Sequence, residues 1–269
     1  MPRLFIPCLV LPLLAACTPA SSRATVPVQA PSRTLTVFAA ASLNNSFTEI
    51  GRNFESTHAG VKVVFNFAGS QTLSAQLLQG APADVFASAN HAEMDKLVAD
   101  GLVTQNAPKD FLTNQLVVAL PPANPAGLKS LADLARPGLK LVLADTTVPA
   151  GKYARQVLDQ LSQQPAYGAD FASKVLANVV SNEPDVEVVV TKVQLGEADA
   201  GIVYISDLAA YPELKTLAIP ADVNVIARYP IAVLTKAPRP DLAAAFTTYV
   251  LSPEGQAILR KWGFTPIAP

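Results

Sequence analysis

The chain has few of the side chains on which most catalytic and metal sites depend. Its 269 residues include two cysteines, two histidines and one tryptophan. Cys8 and Cys17 both lie near the N-terminus, so the rest of the chain has no cysteine for a disulfide, a thiolate zinc site or a thiol nucleophile. His58 and His91 are far apart and not at the spacing of metal ligands. These shortages argue against an enzyme built around histidine or cysteine.

Charge is also scarce and nearly balanced. Charged residues make up 15% of the chain, and 20 Lys and Arg against 21 Asp and Glu leave a formal charge of −1. Proteins that bind nucleic acid normally carry a basic surface, so we expect no nucleic-acid partner. Half of the residues are apolar, which excludes wholesale disorder and allows a substantial core.

The N-terminal residues are typical of an export signal. Residues 1–16 carry Arg3 and then an apolar stretch that is too short to cross a bilayer as a helix. The stretch ends in Leu14-Ala-Ala-Cys17, which resembles the lipobox of bacterial lipoproteins, and lipidation of Cys17 is therefore expected. An ordinary signal with an incidental cysteine is the alternative. Residues 17–33 predict a flexible tether, so the folded chain would lie in the periplasm or at the outer face of the cell membrane, held by a lipid anchor.

Beyond the tether, strand patterns alternate with helix patterns, which predicts parallel sheets covered by helices on both faces. The predicted strands are 35–41, 61–67, 84–87, 114–120, 139–143, 200–204 and 231–234. The predicted helices include 43–54, 70–78, 93–99, 153–161 and 184–195, the last beginning behind Ser181 or Asn182, and two short helices close the chain. Residues 148–152 are expected to form a turn.

The strands fall in two clusters, so two lobes are expected rather than one. The buried runs 116–120 and 229–234 are the best candidates for the connections between them. Lobe one would then comprise 34–117 plus 231–269, and lobe two 118–230. Ligands of open α/β sheets bind beyond the carboxyl ends of the strands, where helix N-termini converge.

Five residues occupy such strand ends: Ser42, Ser70, Ala150, Val186 and Tyr204. The first four lie at strand-to-helix turns, where unpaired backbone N–H groups can accept an anion without any Lys or Arg. Serine and tyrosine hydroxyls can add further donors. Taken singly, each serine is more often a helix cap and the tyrosine a packed ring. Their repeated placement indicates an anion site, although the pattern does not show that the turns meet.

Five sequence blocks around these turns together resemble the molybdate-binding proteins of bacterial ABC importers, and the resemblance covers residues 34–269. The blocks are Val37-Phe-Ala-Ala-Ala-Ser-Leu43, Phe67-Ala-Gly-Ser-Gln-Thr-Leu73, Gly80-Ala-Pro-Ala-Asp-Val-Phe86, Val148-Pro-Ala-Gly-Lys-Tyr-Ala154 and Leu195-Gly-Glu-Ala-Asp-Ala-Gly-Ile-Val-Tyr204. The resemblance implies the two-lobed α/β fold of periplasmic binding proteins, in which a hinge joins two mainly parallel sheets with helices on both faces.

The resemblance also implies a function and a ligand set. Molybdate, and with it tungstate, would be held between the lobes by Ser42, Ser70, Ala150, Val186 and Tyr204, with molybdenum bound as its oxyanion. No cofactor, catalytic residue or protein-coordinated metal is implied. The partners would be an ABC permease and its ATPase, and the protein would be a monomer.

Two residues depart from the family pattern. Gln71 stands where the family often has serine, and Glu187 follows Val186 where a basic residue is frequent. A carboxylate at Glu187 would weaken anion binding if it points towards the site.

Three other functions stay open at this point. The same fold could bind another tetrahedral oxyanion such as sulfate, or report an oxyanion to a membrane partner as a sensor. An enzyme on this fold would need a nucleophile, a general base or a metal, for which the sequence offers little.

Overall fold

The computed structural model describes residues 33–267. The predicted signal peptide, Cys17 and all of the predicted tether except Arg33 therefore lie outside the described residues. Within residues 33–267, no helix is long and apolar enough to cross a membrane.

The first sheet contains six strands in the order β11-β4-β10-β3-β1-β2. Its strands are β1 (Arg33–Ala40), β2 (Val61–Ala68), β3 (Val85–Ala87), β4 (Lys109–Asn114), β10 (Ala227–Val233) and β11 (Thr265–Pro266). Its helices are α1 (Asn44–Thr57), α2 (Ser70–Leu78), α3 (His91–Ala99), α7 (Pro240–Leu251) and α8 (Pro253–Lys261), and a 3-10 helix (Ala41–Leu43) joins β1 to α1.

The second sheet contains five strands in the order β7-β6-β8-β5-β9. Its strands are β5 (Leu116–Leu120), β6 (Leu141–Ala144), β7 (Val179–Glu183), β8 (Ala200–Tyr204) and β9 (Lys215–Ala218). Its helices are α4 (Pro149–Ser162), α5 (Phe171–Ala177) and α6 (Val186–Gln194), with 3-10 helices at Leu131–Ala135 and Ile205–Ala210.

Alternation along β1 explains how the first sheet is covered on both faces, because successive strand side chains point to opposite sides. Val37 belongs to the core that contains Phe47 of α1 and Phe246 of α7. Its neighbour Phe38 belongs to a separate core with Leu73 of α2, together with Met94 and Leu97 of α3. The α/β architecture with two sheets agrees with the prediction.

Most strands of each sheet run in the same direction, but neither sheet is wholly parallel. In the first sheet, β1 is parallel to β2 and β3, whereas β10 is antiparallel to β3 and β4. In the second sheet, β6 is parallel to β7 and β8, whereas β5 is antiparallel to β8 and β9. The antiparallel partners include β5 and β10. Each is the first strand after the chain crosses from one sheet to the other.

The run 114–120, predicted as one strand, is two strands in different sheets. β4 ends at Asn114, whose side-chain oxygen accepts from the backbone N–H of Gln115, and β5 starts at Leu116. The predicted lobe boundaries after 117 and 230 fall inside β5 and β10, so 116–120 and all but the last residue of 229–234 lie in sheet strands, and the crossings precede them. An apolar run does not reveal a change of sheet, because both halves are equally buried.

Two helix starts also differ from the prediction. The expected turn at 148–152 is already helical, because α4 begins at Pro149, a residue suited to the first helical position. Ser181 and Asn182 do not cap α6, since both belong to β7. The cap is Asp185, whose Oδ1 accepts from the Val188 N–H at 3.1 Å. Pro184 keeps the residue before it extended, which delays the helix.

Candidate functional site

The carboxyl ends of two sets of parallel strands meet at one cavity. β1 and β2 end side by side, with Ala40 opposite Ala68. In the second sheet β6 lies between β7 and β8, parallel to both. The helices that follow these strands therefore direct their N-termini towards a common space, as in other open α/β sheets.

The cavity is small, with a volume of about 10 Å³, and receives residues from both sheets. All five residues predicted from the sequence are among those that line it: Ser42 and Ser70 from the first sheet, and Ala150, Val186 and Tyr204 from the second. The remaining lining residues are Ala40, Ala41, Gly69, Ala89, Val148, Pro149 and Asp185. The structure thus brings the predicted residues together, while their role as ligands stays a prediction.

Neither serine serves as a helix cap, although capping is the commonest role of serine at such turns. Ser70 is the first residue of α2, behind the N-cap Gly69, and its Oγ accepts from the backbone N–H of Ala89 at 3.0 Å. Ser42 lies within the 3-10 helix, and its Oγ is 2.9 Å from the Oη of Tyr229. Because the backbone N–H of Ala89 can only donate, the Ser70 hydroxyl keeps its own proton available for another acceptor.

Tyr204 is almost fully buried, at 1% exposure, and its Oη has no hydrogen-bond partner among residues 33–267. Burial is the largest factor that raises the pKa of Tyr204 well above its ordinary value, and the nearby Tyr229, Tyr153 and Asp207 add to it. The phenol therefore stays protonated. A buried donor without an acceptor is costly, so this hydroxyl indicates a missing acceptor in the cavity that Tyr204 lines.

Backbone N–H groups supply the rest of the donors. Ala150 follows Pro149 in the first turn of α4, and Val186 is the first residue of α6. The first N–H groups of a helix have no carbonyl partner within the helix and carry a partial positive charge. Both residues lie on the cavity, so their N–H groups can serve an anion there.

Acidic side chains surround this donor set on the side of the second sheet. Asp185 lines the cavity, but its Oδ1 is engaged with α6. Glu187 does not line it, and burial together with the charge of Asp185 raises the pKa of Glu187 to about 7. Asp207 is buried and accepts from the Tyr204 N–H at 2.8 Å. Burial, followed by the charge of Glu187, raises the pKa of Asp207 well above its ordinary value.

The lobes approach each other closely beside the cavity. Gln71 Nε2 donates to the carbonyl oxygen of Pro184 at 3.0 Å, which joins the start of α2 to the segment before α6. A Cβ added to Gly69 would lie 2.7 Å from the same oxygen, so glycine is required for this approach. In the sequence Gln71 is only a departure from the family pattern, and Gly69 cannot be identified, because a contact between residues far apart leaves no local pattern.

Three comparisons relate this chain to known proteins. Residues 35–265 match the family described as bacterial extracellular solute-binding protein. The chain is 42% identical to the molybdate-binding protein ModA of Mycobacterium tuberculosis over 255 residues, with coverage of 93% of this chain and 92% of the relative. It is 27% identical to a sulfate-binding protein of Synechococcus elongatus over 230 residues, with coverage of 78% and 65%.

The fold matches solved structures over the same span. The Azotobacter vinelandii periplasmic molybdate-binding protein superposes with a TM-score of 0.75 at 20% identity, with coverage of 87% of this chain and 99% of that one. At that identity the likeness supports the two-lobed fold alone. From the family match over 35–265 and the identity over nearly the whole chain, we conclude that this protein belongs to the bacterial extracellular solute-binding protein family.

Proposed function

We propose that this protein captures molybdate, and also tungstate, outside the cytoplasm and delivers the anion to an ABC permease. The observation that carries the proposal is the convergence of hydroxyl and backbone donors from both sheets on one cavity, with the buried Tyr204 hydroxyl lacking an acceptor. The ligands would be Ser42 and Ser70, through their hydroxyl and N–H groups, the backbone N–H groups of Ala150 and Val186, and the Tyr204 hydroxyl.

The chemistry of the donors favours a fully deprotonated oxyanion. Molybdate and tungstate carry no proton at neutral pH, so they only accept hydrogen bonds. Hydrogen phosphate carries a proton that needs an acceptor, and a pocket of donors leaves that proton unpaired at a cost of about 1–3 kcal/mol. Among the residues of the described chain that line the cavity, none is Lys or Arg, so dipoles and neutral hydroxyls would hold the charge.

Sulfate is the second candidate, because it is also a pure acceptor and because sulfate-binding relatives exist. Size is the property that separates the two anions. The shorter bonds of sulfate would leave some donors out of reach in a pocket shaped for a larger anion. The higher identity and fuller coverage of the molybdate-binding relative favour molybdate.

Titration calorimetry of the purified protein with molybdate, tungstate, sulfate and phosphate tests the choice of ligand. We expect tight one-to-one binding of molybdate and tungstate, with sulfate and phosphate weak or silent. Equal binding of sulfate would mean that the protein captures tetrahedral oxyanions in general. A folded sample that binds none of the four anions would overturn the proposal.

The delivery role and the anchor are separate parts of the proposal. The family is one of solute-binding proteins, not of enzymes, and the ligand would be cargo rather than a cofactor. The protein would act as a monomer, anchored by a lipid on Cys17 and docked to a permease with its ATPase. Cells without the protein should lose uptake of molybdate at low external concentration, whereas a pure sensor would leave uptake intact. A mass shift in membrane-extracted protein that Cys17→Ala abolishes would establish the anchor.

A further inference from the structure

The two cavity serines differ in what supports them from behind. Ser70 accepts from the backbone N–H of Ala89, a group that can only donate. Ser42 is supported by another hydroxyl, that of Tyr229, at 2.9 Å, and by distance alone either oxygen could be the donor. If Ser42 donated to Tyr229, it would turn a lone pair towards the anion and repel it. The direction of this one bond therefore decides whether Ser42 can serve as a ligand.

The surroundings of Tyr229 favour donation towards Ser42. Tyr229 lies on β10 with no exposed surface, and its Oη also meets Nδ2 of Asn114 at 3.5 Å. An amide nitrogen donates and cannot accept. Among residues 33–267, Ser42 Oγ, at 2.9 Å, is thus the acceptor best placed for the proton of Tyr229 Oη. A buried phenol proton without an acceptor would be costly, so the bond runs from Tyr229 to Ser42.

Two hydrogen bonds hold the Asn114 side chain in place, and they fix which of its atoms acts as the donor. Its Nδ2 donates to Ser206 Oγ at 2.7 Å, and its Oδ1 accepts from the Gln115 N–H at 3.0 Å. Burial is the main cause that raises the pKa of Tyr229 far above its ordinary value, so the phenol retains its proton.

We propose that Tyr229 is a positioning residue for anion binding: it donates to Ser42 Oγ and so leaves the Ser42 proton for the oxyanion. Tyr229 is not among the residues that line the cavity, so it acts through Ser42 and does not contact the ligand. The inference rests on the proposed function in that it requires a bound oxyanion. Successive hydrogen bonds polarise one another, so donation by Tyr229 also strengthens the bond that Ser42 gives to the anion.

A double-mutant cycle separates this role from packing. Tyr229→Phe keeps the ring, which packs edge-on against Tyr204 with centroids 5.9 Å apart, and removes only the hydroxyl. We expect Tyr229→Phe to raise the calorimetric Kd for molybdate about five- to tenfold in the wild-type chain. In the Ser42→Ala background, the same change should raise Kd less than about twofold, because its target is gone.

Two results would overturn the proposal: an equal rise of Kd in both backgrounds, or no rise in the wild-type background. Tyr249→Phe is the matched control, since Tyr249 is a half-buried residue of α7 that packs against Phe54, and it should change Kd less than about twofold. If the wild-type protein does not bind molybdate but binds tungstate or sulfate, the assignment of molybdate is wrong. The double-mutant cycle is then run with the anion that binds.

A spectroscopic measurement covers the case in which Tyr229→Phe does not fold. The tyrosine Fermi doublet in the Raman spectrum of the wild-type protein reports whether buried phenols donate or accept. Without molybdate, the wild-type doublet should show more donor character than that of Ser42→Ala, in which Tyr229 has lost its acceptor. Equal or greater donor character in Ser42→Ala would mean that Tyr229 does not donate to Ser42, and the proposal would be wrong.

Discussion

At the scale of single residues, the chemistry of the site depends on hydroxyl groups whose lone pairs are engaged from behind. Ser70 shows this most clearly, because the bond from the Ala89 N–H at 3.0 Å can run in only one direction. A buried hydroxyl placed in this way has a proton and no partner for it within the fold. Such a group gains most from a ligand that accepts and cannot donate.

Ser70→Ala should therefore weaken molybdate binding and stability together. The variant removes a donor to the anion, and we expect a loss of about 1–3 kcal/mol in binding free energy by calorimetry. It also leaves the Ala89 N–H without its acceptor, so urea denaturation should show a loss of stability of about 1–3 kcal/mol.

Ser74→Ala is the matched control for this prediction. Ser74 is buried one turn further along α2, but its hydroxyl donates to Glu93 Oε2 at 2.6 Å and does not line the cavity. It should lower stability without changing the Kd for molybdate. Equal effects of the two substitutions on Kd would contradict the assignment of Ser70.

Glu187 predicts a pH dependence of binding. Its pKa of about 7, raised by burial and by Asp185, means that the carboxyl is neutral below pH 7 and charged above it. The groups around it are Asp185, the buried Asp207 and the Tyr211 phenol, and the pKa of each of the latter two is raised in part by the charge on Glu187. A charged Glu187 would repel the anion at the start of α6. Affinity for molybdate should thus be higher at pH 6 than at pH 8, by about two- to fivefold.

The variant Glu187→Gln should abolish this dependence and give at pH 8 the affinity that wild type has at pH 6. Calorimetry at the two pH values measures both effects. Glu197→Gln, an exposed acid beyond the other end of α6, should leave the pH dependence as it is. A wild-type affinity that is equal at pH 6 and pH 8 would rule the effect out.

The candidate residues that sequence could predict are those whose role follows from their position at a strand end. Ser42 and Ser70 fall at such ends whatever their distant partners are. Tyr229 could not be found in this way, because its hydroxyl meets Ser42 from 187 residues away in the chain. Asp185 precedes Val186 in the sequence, but its contact with the cavity follows only from where α6 begins.

At the scale of elements, helix starts determine where the backbone donors lie, and they are set by short-range sterics. The start of α4 is held against the end of β6 by Gly151. A Cβ at this position would collide with the carbonyl oxygens of Ala144 and Asp145. The helix can therefore begin directly beyond the strand, which brings the Ala150 N–H to the cavity.

Gly151→Ala should displace this first turn. We expect a loss of stability of about 1–3 kcal/mol in urea denaturation, because overpacking forces the backbone to shift. The Kd for molybdate should rise as well, since the Ala150 N–H moves with the turn. Lys152→Ala, an exposed position on the same turn, should change stability by no more than about 0.5 kcal/mol. A normal Kd in Gly151→Ala would mean that the start of α4 does not bind the anion.

Periodicity predicted most elements of the parallel units and failed where the chain changes sheet. The strand 61–67 and the helix 70–78 agree closely with β2 and α2. β4 and β7 were missed as separate strands, because their residues show partial burial without a continuous apolar run. The division at Gln115 and the antiparallel place of β10 depend on contacts between distant segments, which a local pattern does not contain.

At the scale of the whole molecule, function depends on the balance between an arrangement in which the two lobes are in contact and one in which they are apart. A ligand shifts that balance only through contacts that one arrangement has and the other lacks. The five predicted donors are divided between the lobes, so an anion that meets all of them requires the lobes to approach. The bond from Gln71 Nε2 to the Pro184 carbonyl adds a direct contact of the same kind, made by protein alone.

Gln71→Ala should lower affinity without altering the anion contacts. The variant removes the hydrogen bond between the two lobes. This bond contributes little net free energy, because it is partly exposed and because Gln71 Oε1 is left buried without a partner. We expect the Kd for molybdate to rise about two- to fivefold, which corresponds to about 0.4–1 kcal/mol.

Gln79→Ala, an exposed glutamine at the C-terminal end of α2, is the control and should leave Kd unchanged. Small-angle scattering of the molybdate-saturated proteins should give the same curve for wild type and Gln71→Ala, because both reach the same arrangement of lobes. An unchanged Kd would show that this contact contributes nothing to binding, and a different saturated curve would show that Gln71 shapes the liganded form itself.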